Sequence, residues 1–289
     1  MQSTSKLVMV RPDYFGPNIQ TAASNVFQKD SGDVSNCQHE WEAMKHSLIT
    51  EGIEVIEFQA IKNAPDAIFP NWFATYSNQT LDLFPMEAAN RQLERTNPSL
   101  DQLLSEYRVE IDSTEMELKG LALESTSSLV LDRINKIAYC SISSRSDLNL
   151  ARDWASKKGF ELIAFNSSYL NKPVYHTNVL MWIGTSLAGI CEDAINDDDL
   201  ILIKETIQRD KQILNLTTDQ LGAYCGNMLE IKNKKDELLL LMSKSANHAL
   251  SNKQKDILQE FYTKLLVVDL ANIEKIGGGS ARCMVQELY

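Results

Sequence analysis

Residues 128–165 read SLVLDRINKIAYCSISSRSDLNLARDWASKKGFELIAF, and this stretch decides the fold. Two apolar, strand-forming runs, Ser128–Asp132 and Ile137–Ser143, flank the polar turn Arg133–Lys136, which predicts a hairpin. Asp147–Lys158 then places Leu148, Ala151, Trp154 and Ala155 at helical spacing and stops at Gly159. Phe160–Phe165 returns to a short strand. The unit is strand, strand, helix, strand.

Working outward, the unit recurs. Upstream, Asn71–Phe84 predicts a hairpin turning at Ser77–Thr80, then a helical stretch from about Glu87 to Tyr107, broken near Asn97–Pro98, then strand Arg108–Ile111. Downstream, Asn178–Gly184 and Leu187–Ile195 precede helix Asp198–Arg209 and strand Gln212–Leu216. Met228–Lys232, turn Asn233–Asp236 and Glu237–Met242 precede a helix from Ser251 to about Lys264 and strand Leu265–Leu270. Strand Leu7–Val10, helix Gln38–Thr50, strand Ile53–Phe58 and terminal strand Cys283–Leu288 make one more unit, split across the termini. The polar residues opening these units, Asn71, Ser128, Asn178, Asn227 and Ser280, stand roughly 50 residues apart. Five units of this period predict an α/β fold of radially repeated ββαβ units around one axis, hence a single domain over residues 1–289. The rival is a plain α/β sandwich without closure.

The composition narrows the function. With 28 Lys+Arg against 39 Asp+Glu the formal charge is −11, which argues against nucleic-acid binding and against docking on anionic membranes. Met1–Ser5 is polar and the most apolar windows, Leu200–Ile203 and Leu238–Met242, are short, so neither a signal peptide nor a membrane span is expected and the location expected is cytoplasmic. Five scattered cysteines without C-x-x-C, and four histidines, predict reduced thiols and no metal site. No cofactor is expected either.

Several residues could carry chemistry. Gly277-Gly278-Gly279-Ser280-Ala281-Arg282-Cys283 combines backbone freedom with a cysteine beside an arginine, where a lowered thiol pKa would suit a nucleophile. A flexible turn before a terminal strand is the plainer reading. Cys37, Cys140, Cys191 and Cys225 fit core thiols. His176, held in an extended segment after Pro173, could serve as acid/base, whereas His39, His46 and His248 fall on exposed helix positions. Glu124 follows Leu121-Ala122-Leu123, and Asn71 lies in the aromatic stretch Phe69–Phe73. Asn71, Glu124, His176–Asn178 and Cys283 share one phase of the repeat, so radial closure would bring an amide, a carboxylate, an imidazole and a thiol to one end of the axis.

The chain resembles the amidinotransferase and arginine-deiminase superfamily, and within it the bacterial branch of citrulline-utilisation hydrolases and related amidinotransferases. The resemblance rests on Met9–Pro12, Thr21–Asn25, Asp66 with Phe69–Asn71, Ser128–Arg133, Tyr175–Val179, Gly226–Glu230 and Gly277–Cys283. It implies a pentein α/β propeller of five pseudosymmetric units. It further implies Cys283 as nucleophile, His176 as acid/base and Glu124 as orienting carboxylate. Asn71, Asn178, Asp66 and Arg145 would then bind a small guanidino or ureido substrate, and a homodimer is compatible with the family. The implied reaction is hydrolysis of a C–N bond through a covalent thiol intermediate. An amidinotransferase and a non-catalytic binding protein are the alternatives.

Three departures from the family pattern matter. His176-Thr177-Asn178 has Asn where arginine deiminases have Asp, and a second amide stands near Asn71. Amides answer a ureido C=O as well as N–H donors, which tilts the expected substrate toward citrulline. Ser125 and Ser127 stand where the family favours glycine, so strain at those positions would disturb the site. Arg11, Arg91, Arg145 and Arg282 are the candidates for a substrate carboxylate.

Overall fold

The computed structural model describes residues 1–29 and 32–289. Its strands, in chain order, begin with β1 (Lys6–Val10), β2 (Glu54–Phe58), β3 (Phe73–Tyr76), β4 (Thr80–Leu83) and β5 (Arg108–Asp112). They continue with β6 (Val130–Asp132), β7 (Ile137–Ser141), β8 (Glu161–Phe165) and a small hairpin of β9 (Ser168–Tyr169) and β10 (Lys172–Pro173). The last are β11 (Met181–Ile183), β12 (Leu187–Ile190), β13 (Gln212–Asn215), β14 (Leu229–Lys232), β15 (Leu238–Ser243), β16 (Lys264–Val268) and β17 (Gln286–Leu288).

Four three-stranded sheets repeat one topology: β3-β4-β5, β6-β7-β8, β11-β12-β13 and β14-β15-β16. In each, a hairpin supplies the antiparallel pair and a helical crossover brings the third strand in parallel. A fifth sheet, β17-β1-β2, has the same arrangement, with Lys6 opposite Leu288 in the antiparallel pair and Lys6 beside Glu54 in the parallel one. The unit split across the termini is therefore present as expected.

Local chemistry explains the crossovers. Helix Leu148–Lys158 starts where the Asp147 carboxylate accepts from the Asn149 and Leu150 amides, and ends at Gly159 in the left-handed conformation. Its Ala151, Trp154 and Ala155 face the sheet, Trp154 lying between Phe84 and Phe160. Helix Asn252–Phe261 opens with a Ser251–Gln254 capping box. Its end, set by Tyr262, falls short of the expected Lys264, which instead starts β16. Helix Val34–Thr50 begins earlier than expected because Asp33 caps it through the Ser35 amide.

Successive sheets meet along their first strands. β17 packs on β3, the turn Ser125–Ser128 packs on β3, β6 on β11 and β11 on β14. The Lys232 amide at the end of β14 donates to the Thr4 carbonyl just ahead of β1, 3.1 Å away. At two of the unit openings a helical turn precedes the strand, and at the second it replaces the first residues of the expected strand Asn178–Gly184. Ser125–Ser128 and Thr177–Leu180 each form one turn of helix before β6 and β11. Their Ser and Thr side chains bond the nearby main chain: Ser128 Oγ accepts from the Glu124 amide at 2.8 Å and donates to the Arg145 carbonyl. Among the described residues, no helix is long and apolar enough to cross a membrane.

Candidate active site

The two helical turns aim their preceding residues inward. Glu124 and His176 each occupy the position just before the turn, and both are buried. Glu124 Oε2 lies 2.7 Å from His176 Nε2. Helix Ala271–Gly277 ends at Gly278, whose φ of 62° returns the chain through Ser280 toward Cys283. The glycines are required there. A Cβ on Gly277 would come within 2.6 Å of the Phe69 ring, and one on Gly279 within 3.0 Å.

His176 and Cys283 line one cavity, with Asp66, Phe69, Asn71, Arg91, Arg145, Tyr175, Asn25, Gly277 and Gly279. Its free space is about 10 Å³, at the threshold for a single water. What closes it is the segment Asn18–Asn25. Asn18 Nδ2 and Thr21 Oγ1 each donate to Asp66 Oδ2 at 2.8 Å, and Asn25 Nδ2 donates to the Gly277 carbonyl at 3.1 Å. Arg145 adds bonds to the Thr21 carbonyl (2.9 Å) and Ser24 Oγ (2.8 Å).

Electrostatics sort the groups. Burial drives His176 down to about 4, despite its hydrogen bond to Glu124, which favours its charge, so the imidazole is neutral. Burial opposes the Glu124 charge too, but Arg145, His176 and Arg91 outweigh it and hold the carboxyl at about 2. With Glu124 ionised, Nε2 carries the proton, and Nδ1 is left as an acceptor, buried and without a partner. Asp66 Oδ1 is likewise buried and unpartnered, and burial raises this carboxyl. Burial also raises the Cys283 thiol, against the opposing pull of the Ser280 main chain, Asn227, Arg282 and Arg91. The lowered thiol pKa expected from Arg282 is therefore absent in the unliganded protein. That guanidinium turns away, onto Glu287 at 3.0 Å and Thr126 at 2.9 Å.

The sequence-selected residues divide accordingly. Cys283, His176, Asp66, Asn71 and Arg145 reach the cavity, with Glu124 directly behind His176. Asn178 does not line it: the side chain lies on the far side of Cys283, donating to Ser127 Oγ at 3.0 Å. Of the four arginines, Arg11 pairs with Asp13 outside the site and Arg282 lines a different cavity, with Gln2, Thr126 and Glu287. Arg91 is locked by Glu94 (2.7 Å), the Phe69 carbonyl and Glu124 (3.4 Å). Cys37, Cys140, Cys191 and Cys225 are buried core thiols, pushed up to about 12, 12, 11 and 12 by burial. His39, His46 and His248 are exposed. The sequence reading missed Asn25, Tyr175, Glu94 and Asn227. Asn25, Tyr175 and Asn227 lie inside motifs that carry the resemblance, and Asn227 also holds the repeat's opening phase, which is the available signal.

Ser125 does sit at φ 48°, the left-handed region anticipated for that position, and its Oγ donates to the Phe73 carbonyl at 2.5 Å. Ser127 is outside that region. Among the described residues no cluster of three or more His, Cys, Asp or Glu is arranged to hold a metal ion.

A buried thiol, a neutral imidazole held by a carboxylate and a second carboxylate with one unpartnered oxygen, on repeated ββαβ units, define an enzyme of the pentein superfamily of amidinotransferases and arginine deiminase-like hydrolases. A family profile described as "N,N dimethylarginine dimethylhydrolase, eukaryotic" matches residues 11–289, and the chain belongs to that family of C–N hydrolases. No curated protein matches the sequence. Among solved structures, apo ArgZ, an arginine dihydrolase from the ornithine–ammonia cycle in cyanobacteria, superposes with a TM-score of 0.79 at 16% identity over 97% of this chain. The present chain spans only 40% of the length of that ArgZ chain. The N-terminal domain of ArgZ, a cysteine-to-serine mutant bound to substrate, gives a TM-score of 0.78 at 15% identity over 98% of each chain. DDAH from Pseudomonas aeruginosa, a cysteine-to-serine mutant complexed with citrulline, gives 0.70 at 14% identity over 99% of this chain and 100% of that one. At these identities the likeness is one of fold.

Proposed function

We propose that the protein hydrolyses a C–N bond of a guanidino amino acid of the arginine type, using Cys283 as nucleophile. The observation that carries this is that one cavity holds Cys283 together with two unpartnered buried acceptors, His176 Nδ1 and Asp66 Oδ1. A guanidinium presents N–H donors and positive charge, which an unpaired carboxylate oxygen matches. The ureido alternative loses support because Asn178 turns away from the cavity and the lining amide of Asn25 is already bonded to the Gly277 carbonyl and the Phe27 amide, which leaves Asn71. A single catalytic domain in which the five sheets close around one axis accounts for the convergence of residues from four sheets on that cavity.

The chemistry follows from the residues' states. Entry of a guanidinium cation favours the thiolate, offsetting the burial that opposes it. The thiol proton passes to His176 Nδ1, and the sulfur bonds to the central guanidinium carbon to give a tetrahedral adduct. Glu124 stabilises the imidazolium so formed. His176 returns the proton to the departing nitrogen as the C–N bond breaks, leaving a carbon–sulfur intermediate. A water then gives one proton to His176 as its oxygen bonds to that carbon, the C–S bond breaks, and the second water proton leaves to solvent as the C=O forms. The sulfur recovers the proton from the imidazole.

The test is a substrate panel of arginine, N-methylated arginines, agmatine, citrulline and carbamoyl-putrescine, with ornithine, citrulline, ammonia and free amines measured. Turnover of arginine or a methylated arginine, abolished in Cys283→Ala with the fold retained, is the expected result. Turnover confined to the ureido compounds would overturn the substrate class. Turnover that needs an added amine would make the protein a transferase, and no turnover at all would make it a binding protein.

A further inference from the structure

The segment Gly226-Asn227-Met228 has no part in the steps above, yet Asn227 is fully buried against the nucleophile. Its Nδ2 donates to the Asn178 carbonyl at 2.8 Å and to Cys283 Sγ at 3.1 Å. Its Oδ1 accepts from the Cys283 main-chain amide at 3.3 Å. Both amide hydrogens are thus in use, and the orientation is fixed. A flip would set oxygen against the Asn178 carbonyl and nitrogen against the Cys283 N–H. Gly226 makes the approach feasible, because a Cβ there would lie 2.1 Å from the Val179 carbonyl oxygen. From the other side, Asn178 Oδ1 lies 3.8 Å from the same sulfur, where it accepts from the S–H.

We propose that Asn227 is a positioning residue that holds the Cys283 sulfur by N–H donation to its thiolate form, and that Asn178 is the opposing acceptor that favours the resting thiol rather than a substrate ligand. The inference rests on the reading of Cys283 as nucleophile and adds what sets its ionisation. A donor stabilises a sulfur anion, whereas an acceptor has a partner only while the proton remains. The two amides therefore act on opposite sides of one equilibrium.

Other titratable or charged groups also lie around the sulfur, although the Arg282 guanidinium itself turns away onto Glu287 and Thr126. Arg282 is on its own loop, Arg91 comes from helix Ala89–Gln92, and Tyr175 and Tyr224 approach from the segments before β11 and β14. His176, Asp66 and Arg145 share the cavity, and Glu124 stands behind His176. None of these is altered by substitutions at the two amides.

The experiment is a pH titration of thiolate absorbance at 240 nm on the free protein, corrected by its Cys283→Ser variant. It needs no substrate, so a failed substrate panel and a failed clamp are told apart. In Asn227→Ala the midpoint is expected to rise by roughly one pH unit, about tenfold less thiolate at a given pH. In Asn178→Ala it is expected to fall or stay. An unshifted midpoint in folded Asn227→Ala, or equal upward shifts in both variants, would overturn the inference. Should circular dichroism show Asn227→Ala unfolded, the near-isosteric Asn227→Asp decides. It keeps the acceptor for the Cys283 amide but sets a carboxylate against the sulfur, so its midpoint must rise, and an unchanged one overturns the clamp.

Discussion

Ionisation states of single residues decide how this site responds to acid. His176 is held at about 4 against an ordinary 6.5, so its contribution to stability is complete above 6.5 and lost as pH falls toward 4. Glu94, raised by burial to about 7 from 4.5, acts with the opposite sign: its contribution is complete below 4.5 and lost as pH rises through 7. Between about 4.5 and 6.5 the two offset each other. Below 4.5 the loss from Glu124, held at about 2, joins the last of that from His176 with no offset from Glu94. The melting temperature is expected to be level from roughly pH 5 to 6.5 and to fall below about 4.5. In Glu94→Gln it should already decline below pH 6.5, and a variant with the parent's level profile would contradict this assignment of Glu94. Ser125 poses a different balance. A non-glycine residue at positive φ costs about 1–2 kcal/mol, while the Oγ bond to the Phe73 carbonyl returns about 1 kcal/mol. Ser125→Gly loses both and should lie within about 1 kcal/mol of the parent, whereas Ser125→Ala keeps the strain, loses the bond and should be destabilised by about 1 kcal/mol or more in urea unfolding.

Elements carry the next set of constraints, and the glycine loop is the most demanding. A Cβ on Gly278 would meet the Gln28 amide nitrogen at 2.5 Å and the Asn25 side chain at 2.6 Å, at a φ of 62°. Gly278→Ala should therefore lower stability by roughly 1–3 kcal/mol and displace Asn18–Asn25 from the cavity. The expected signature is faster alkylation of Cys283 in the unliganded variant, and a rate equal to the parent's would count against that segment as the closure. Hairpins and crossover helices were legible in the sequence because each has its own local signal: the Arg133–Lys136 turn, the helical spacing of Trp154 and its neighbours, and the stop at Gly159. The helical turns at Ser125–Ser128 and Thr177–Leu180 were not, because a short run rich in Ser and Thr next to apolar residues reads as the start of a strand. Repeat phase brought Cys283, His176 and Asn71 to one end of the units. It could not say which wall Asn178 would occupy, since that depends on Ser127 and Asn227, which belong to the sheets on either side and are far apart along the chain. Likewise Arg91, Arg145 and Arg282 are told apart only by the partners they take in the fold, Glu94, Thr21 and Glu287, of which Thr21 is remote along the chain.

At the scale of the whole molecule, charge and connectivity are largely independent of each other. The net charge of −11 does not reach the cavity, where Arg91 and Arg145 stand beside Glu124 and Asp66. What the whole chain does fix is the sheet β17-β1-β2, in which the first and last strands lie side by side with Lys6 facing Leu288. Each unit's strands are complete only after the crossover, and for this sheet the hairpin joining β17 to β1 is missing a covalent link rather than a partner. This sheet has the same strand arrangement as four others in which the corresponding hairpin is continuous. A circularly permuted chain, with a short Gly-Ser linker joining Tyr289 to Met1 and new ends opened in the turn Asn233–Asp236, should fold to the same structure, because that turn carries none of the cavity residues. Its melting temperature and the reactivity of Cys283 would report whether the order in which the units are strung is dispensable while their mutual pairing is not.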